Sequence, residues 1–314
     1  MKKLAVVAFG GNALIKSGQK GTIDEVEENA YQTCERLLAL IDNDYNFVIT
    51  HGNGPQVGNI MLANYAASKM FGIPDMPLDI SVAYSQGYIG YVLEQQLRNV
   101  FNKSEIDNDI ITIITQVMVS KDDPAFENPV KPVGPYYTKE EADKITEATK
   151  AIFAKDPRDR GFRRVVPSPR PLYINNTETI RKIAREGHIV IAVGGGGIPV
   201  YYVEENKLQG IDAVIDKDLA SALLATQINA YKLFILTDVP KVCINYNTPQ
   251  EKSIDRMSIA EARIYLKEGQ FAEGSMAPKV RAAIQFVENT GRDTIITQTT
   301  KLGIDDGGTR VTMV

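Results

Sequence analysis

Apolar positions along the chain follow two periods. Short apolar or β-branched runs recur at 4–9 (LAVVAF), 46–50, 189–193, 231–236 and 293–297. Between them lie longer segments, at 26–41, from about 55, at 80–103 and at 176–186, whose apolar residues return every three or four positions. The first pattern marks strands buried on both faces, and the second marks amphipathic helices. Their alternation predicts a βαβα start and an α/β fold on a mainly parallel sheet. Pro55 suits a first helical turn, Asp79 reads as the cap of helix 80–103, and the β-branched run ITIITQVMV at 111–119 reads as a central strand. Further along, the pattern predicts a hairpin near 200–215, a helix from Asp216 and a turn region at 240–253. Ser258 and Glu261 form a capping box for a helix to about 267, a helix begins near Pro278 and runs to about 289, and 293–297 is the final core strand.

The pattern breaks between about 121 and 170. Prolines at 124, 129, 132, 135, 167, 169 and 171 are too dense for a central strand, because each removes a ladder donor. Phe126, Tyr136, Tyr137, Ile152, Phe153, Phe162 and Val165 supply too much apolar surface for a linker. The segment is expected to fold as a small projecting subdomain or lid.

Three apolar runs end on glycine-rich turns: Gly10-Gly11-Asn12, His51-Gly52-Asn53-Gly54 and the four glycines at 194–197. Backbone N–H groups can approach an anion there, and a helix beginning just beyond adds its positive end, so the strand ends are expected to hold phosphate. The turns are neither a P-loop, since Ile15 stands where the second glycine is required before Lys16, nor a dinucleotide fingerprint, since Val57 and Pro199 fill the last position.

Composition narrows the function. The net charge is −4 with no basic run, which disfavours nucleic acid and anionic membrane as partners. No apolar stretch reaches about 18 residues, and the chain enters its first strand without a signal-like region, so a cytoplasmic location is expected. Cys34 and Cys243 lack metal or disulfide spacing and read as small buried hydrophobes. With only His51 and His188, of which His188 reads as structural, a histidine-bound metal and a Ser-His-Asp arrangement are both disfavoured.

Phosphoryl transfer asks mainly for alignment and positive charge, so lysines near the glycine turns are the candidates. Lys131 is held between Pro129 and Pro132 and is expected to point into the site from the excursion. Lys217 sits at a helix start within Asp216-Lys217-Asp218, where carboxylates can orient the ammonium or a metal; Asp216 also reads as a plain N-cap. Lys279 follows the small-residue loop Gly274-Ser275-Met276-Ala277-Pro278 at another helix start.

The segments FGGNA at 9–13, HGNGPQVGN at 51–59, SQGYIGY at 85–91, NPVKPVGP at 128–135, GFRRVVPSP at 161–169, GGGGIPV at 194–200, AVIDKDLAS at 213–221 and GSMAPK at 274–279 resemble carbamate kinases of the amino acid kinase superfamily. The resemblance spans essentially the whole chain, and the NPVKPVGP excursion separates carbamate kinases from relatives such as acetylglutamate kinase. It implies one domain, a three-layer αβα sandwich with an open, mainly parallel sheet. A lobe at about 1–210, containing the subdomain at about 121–170, would hold carbamate or carbamoyl phosphate, and a lobe at about 211–314 would hold ATP or ADP. It further implies a homodimer, magnesium carried by the nucleotide phosphates without protein side-chain ligands, and no phosphoenzyme.

By the same resemblance Gly10, Gly11, Asn12, Gly52 and Asn53 would contact the phosphoryl group and carbamate. Lys131 would reach the carbamoyl moiety, Lys217 and Lys279 would stabilise the phosphoryl group in flight, and Asp216 would orient Lys217. Asp238, Tyr246, Met276 and Pro278 would line the nucleotide pocket beside Lys217 and Lys279. Phe162 stands where many relatives carry tryptophan, which keeps an aromatic and changes packing only. Two rivals are an amino acid kinase acting on a larger carboxylate, for which the Lys131 excursion leaves little room, and a nucleotide sensor without turnover, against which the three lysines argue.

Overall fold

β1 (Lys3–Phe9) is buried on both faces beyond its first residue, because two apolar layers close over it. In the computed structural model, which describes residues 2–314 apart from 11–13, 17, 157–158 and 305, α1 (Ile23–Asp42), β2 (Tyr45–His51), α2 (Gly54–Phe71) and α3 (Leu78–Lys103) follow. Next come β3 (Ile110–Thr112), β4 (Gln116–Met118), β5 (Lys131–Tyr137), α4 (Lys139–Thr149), β6 (Ile152–Lys155), β7 (Phe162–Val166), β8 (Tyr173–Ile174), α5 (Thr177–Arg185) and β9 (Ile189–Ile191). The chain continues through β10 (Ile198–Glu204), β11 (Lys207–Gly210), α6 (Lys217–Gln227), β12 (Lys232–Thr237), β13 (Val242–Ile244), β14 (Lys252–Ile254) and β15 (Arg256–Ser258), and closes with α7 (Ile259–Lys267), α8 (Met276–Thr290), β16 (Thr294–Gln298) and β17 (Gly308–Thr312).

The main sheet has eight strands in the order β15-β17-β16-β12-β1-β2-β9-β3, all parallel except β17 and its neighbour β15. Side chains alternate across it. Ala5, Val7 and Phe9 of β1 join Cys34 and Leu37 of α1 and Leu93 and Leu97 of α3, whereas Leu4 and Val6 join Ile180 of α5, Leu224 of α6 and Val280 of α8. Two cores on opposite faces make the three-layer sandwich, and they explain why β1 reads as an unbroken apolar run. Because β1 and β12 are adjacent and parallel, the early and late halves of the chain share one sheet and one rim of strand ends. At such a rim, where crossover loops diverge, an open α/β sheet offers its binding crevice.

The proline-rich excursion folds as an antiparallel sheet ordered β5-β7-β6 with α4 against it. Pro132 and Pro135 lie on β5, an edge strand, where a missing N–H costs no ladder bond. The excursion sits on α2 at a contact of two glycines: a Cβ on Gly58 would lie 1.8 Å from the Gly134 Cα. Gly58→Ala is therefore expected to force β5 off α2 and lower stability by about 1–3 kcal/mol, as overpacking does. An unchanged midpoint in chemical denaturation would contradict this.

Several expectations require correction. The run 111–119 is not one central strand: β3 is the edge of the main sheet, and β4 joins a separate sheet ordered β11-β10-β4-β8. The backbone between them is bound by a side chain, since Gln86 accepts from the Thr115 N–H at 2.8 Å and donates to the Thr115 carbonyl at 3.1 Å. The cap of α3 is Pro77, with Asp79 in the first turn, and the orphan Leu78 N–H donates to the distant Asp212 carboxylate at 3.0 Å. The turn region at 240–253 contains the hairpin β13–β14, and β17, antiparallel to β16, follows the strand read as final. Cys34 is fully buried as expected, whereas Cys243 is only half-buried, with its sulfur 3.4 Å from Ser253 Oγ.

Candidate active site

Three of the parallel strands run into the same crevice. β1 ends at Phe9, and on the following Gly10 a Cβ would stand 3.1 Å from the Leu236 carbonyl oxygen of β12. β2 ends in His51, then Gly52 and Asn53, and α2 starts immediately with Gly54 and Pro55. The loop after β9 turns through a 3-10 segment, Gly194–Gly196, packed beneath them. Gly195 has φ of 66°, and a Cβ on it would lie 2.1 Å from Asn53 Nδ2, so glycine is required both by conformation and by the approach of that amide. The Asn53 side chain is buried there and donates to Ser85 Oγ at 2.8 Å.

The three lysines meet at the start of α6. Asp216 caps this helix, accepting from the Asp218 and Leu219 N–H groups at 2.9 and 3.3 Å through Oδ1. Its Oδ2 accepts from Lys131 Nζ at 2.6 Å across 85 positions of sequence. Asp218, buried in the first turn, accepts from Lys217 Nζ at 2.5 Å and from Lys279 Nζ at 3.0 Å, one ammonium on each oxygen. The bond that orients Lys217 therefore comes from Asp218 and not from Asp216, whose direct partner is Lys131. Helical geometry decides this: the capping carboxylate is turned toward the backbone, while the residue two positions on points inward.

Electrostatics separates the two inner lysines. Burial lowers the Lys217 pKa to about 8, with the Lys279 charge adding to the effect and Asp218 opposing it. For Lys279 burial is outweighed by Asp218, Asp216 and Asp238, and the pKa rises above the usual lysine value. Burial opposes ionisation of Asp218, but the two ammonium groups overcome it and hold the carboxyl well below its ordinary range. Lys217 crosses directly above the β2 turn, since a Cβ on Gly52 would touch its Cδ at 3.4 Å.

Asn53 at the start of α2 and Ser275 at the start of α8 make no side-chain capping bond; Pro55 and Pro278 bring no N–H to these first turns, and the Ala277 N–H donates to the Ala272 carbonyl at 3.1 Å. Lys279 is the fourth residue of α8, close behind Met276 and Pro278, which are half-buried at its mouth. Asp238 follows the end of β12, and Tyr246 is exposed on the β13–β14 hairpin loop. Gly11 and Asn12 lie outside the described residues.

Sequence reasoning missed two residues. Asp218 was visible in Asp216-Lys217-Asp218, but only the helical turn shows which carboxylate faces the lysines. His51 is fully buried, and burial, aided by Lys217 and opposed by a bond to the Gly52 carbonyl, lowers its pKa to about 4. It is neutral, and since a carbonyl only accepts, its Nδ1 carries the proton in the 3.0 Å bond to Gly52.

Ammonium groups and glycine turns gathered at the rim of a three-layer α/β sheet define a phosphotransferase, and the chain belongs to the amino acid kinase family, whose family model matches residues 3–298. Within that family it groups with the carbamate kinases. It is 48% identical over 297 residues to the carbamate kinase of Pyrococcus horikoshii, covering 94% of each chain. To carbamate kinase 2 of Staphylococcus epidermidis it is 47% identical over 301 residues, covering 95% of this chain and 94% of that one. The solved carbamate kinase from Giardia lamblia bound to AMP-PNP is similar at a TM-score of 0.90 and 42% identity, over 99% of this chain and 98% of that one.

Proposed function

We propose that the chain is a carbamate kinase that transfers a phosphoryl group reversibly between ATP and carbamate. A carbamate oxygen attacks the γ-phosphorus, the bond from that phosphorus to the bridging oxygen breaks, and ADP leaves as carbamoyl phosphate forms. The observation that carries this reading is the convergence of Lys131, Lys217 and Lys279 on Asp216 and Asp218 at the rim of the sheet. No protein nucleophile is needed, because the transition state asks for alignment and charge stabilisation.

In this reading the lobe at about 1–210 holds carbamate and the lobe at about 211–314 holds the nucleotide. Gly10, Gly11, Asn12, Gly52 and Asn53 contact the phosphoryl group and carbamate. Lys131, carried on β5 of the excursion, contacts the carbamoyl moiety. Lys217 and Lys279 follow the migrating charge, held apart by Asp218. Asp238, Tyr246, Met276 and Pro278 border the nucleotide. When bound with the nucleotide, Mg²⁺ neutralises charge on its phosphate oxygens. Asp216 and Asp218 are each engaged by lysines, so their carboxylates suit no more than outer contacts, and the phosphates carry the ion.

A cytoplasmic homodimer belongs to the same proposal. No helix among the described residues is long and apolar enough to cross a membrane. α3 leaves Ile80, Tyr84 and Tyr91 uncovered on one helical face, a surface suited to a second copy.

The test is ATP formation from ADP and carbamoyl phosphate by the purified chain and its Lys131→Ala variant. The wild type is expected to turn over, and the variant to lose about 10²-fold or more in turnover, as removal of a positioned charge does. Nucleotide affinity, read by calorimetry, is expected to stay near the wild-type value. Unchanged turnover in the variant would remove Lys131 from the site.

A further inference from the structure

A second cavity, of 380 Å³, lies between α2 and the projecting subdomain. One wall is a helical face of α2, where Met61, Leu62 and Tyr65 follow Gly58 at spacings of three, four and seven. The opposite wall is the subdomain sheet: Val133, Arg164 and Phe153 stand side by side across β5, β7 and β6, with Tyr137 edge-on to Phe153 at 5.4 Å. Apolar and aromatic side chains thus face one another from α2 and the subdomain sheet, and the cavity has the size of a small-molecule pocket.

Its charges are arranged unusually. Arg164 enters the apolar wall half-buried, and among the described residues its guanidinium makes neither a hydrogen bond nor an ion pair within 4.0 Å. Burial lowers its pKa, although Asp212, Tyr137 and Asp75 act in the opposite sense. Asp75 and Asp212, both exposed, also line the cavity. Each uses Oδ1 on a backbone N–H, that of Met76 at 2.9 Å and that of Leu78 at 3.0 Å. No partner of either Oδ2 occurs among the described residues.

One half-buried guanidinium and two exposed carboxylates therefore line the same cavity without closing on one another. A simple organic acid would satisfy Arg164 but face the carboxylates, and a simple amine would do the reverse. We propose that this cavity binds a free α-amino acid with an apolar side chain, its carboxylate on Arg164, its ammonium on Asp75 or Asp212, and its side chain between α2 and the subdomain sheet. Complementarity favours this pairing, since each of the ligand's two charges meets an opposite charge by a charge-assisted bond while its side chain covers apolar surface. The occupant touches both α2 and β5, the strand that carries Lys131, and so fastens the subdomain to the lobe beneath it. None of Lys131, Lys217, Lys279, Asp216 and Asp218 lines the cavity, and its existence does not depend on the kinase reading.

The test is calorimetric titration of the full chain with L-leucine, L-methionine and L-phenylalanine, without nucleotide or carbamoyl phosphate. At least one is expected to bind saturably with Kd of about 1 mM or tighter. Leucinamide, lacking the carboxylate, and N-acetyl-leucine, lacking the ammonium, are expected to bind roughly tenfold more weakly or worse, as loss of one charge-assisted contact requires. Arg164→Gln is expected to erase the preference for leucine over leucinamide. Leu62→Trp, at a position 40% exposed on α2, is expected to fill the chamber and abolish binding without unfolding the chain. Absence of saturable binding by all three amino acids up to about 10 mM would overturn the proposal. So would equal affinity for leucinamide, or unaltered binding by the Leu62→Trp protein.

Discussion

Asp218→Asn is expected to lower turnover by about 10³-fold, the largest effect of any single change in the site. The carboxylate is buried, and each of its oxygens receives one lysine ammonium, so it positions two cations at once. The amide presents one oxygen and one NH₂, and the latter repels an ammonium in a place with little water to screen it. Removing one member of a buried charge cluster typically costs about 3–5 kcal/mol, so folding stability is expected to fall as well. Single-turnover kinetics on protein verified as folded by circular dichroism separates the two effects. A variant within tenfold of wild type would show that the lysines hold their places without this carboxylate.

Lys217→Ala is expected to reduce turnover by roughly 10²-fold or more, since it removes a charge partner of the migrating group while leaving Asp218 paired with Lys279. A pH signature accompanies it. Lys217 acts as an ammonium, and burial lowers its pKa in the free enzyme to about 8, so kcat/KM is expected to decline as pH rises through about 8. Lys217→Arg, which stays charged, should move that alkaline limb upward even if its absolute rate is low. Stability runs the other way. The folded pKa lies below the ordinary lysine value of 10.5, so the ammonium costs stability below about pH 8, and that cost disappears as pH rises from about 8 toward 10.5. An alkaline limb that is identical in the Lys217→Arg protein would assign it to another group.

Much of the fold was legible in linear pattern because burial on two faces and burial on one stripe write different periods. β1, β2 and β12 announced themselves as solid apolar runs, and α7 announced its start through the Ser258 and Glu261 capping box, which is formed. The run 111–119 misled for a physical reason: β-branched content reports an extended, half-buried backbone, not the sheet to which it belongs. Gln86, a helical residue far away in sequence, bonds the backbone at Thr115 and divides the run between two sheets. Asp79 misled similarly, because the Leu78 N–H is satisfied by Asp212, 134 positions away.

The sequence alone determined which chemistry the chain carries: glycine turns after buried strands, lysines at helix starts and a proline-framed Lys131, all features set by local backbone preference and residue type. The tertiary structure alone decided which charges pair. The bonds of Asp216 to Lys131 and of Asp218 to Lys279 span 85 and 61 positions. The placing of Arg164 in one chamber with Asp75 and Asp212 is likewise a product of packing α2 against the subdomain. Coulomb interactions depend on distance in space and on burial, and neither quantity is encoded in spacing along the chain.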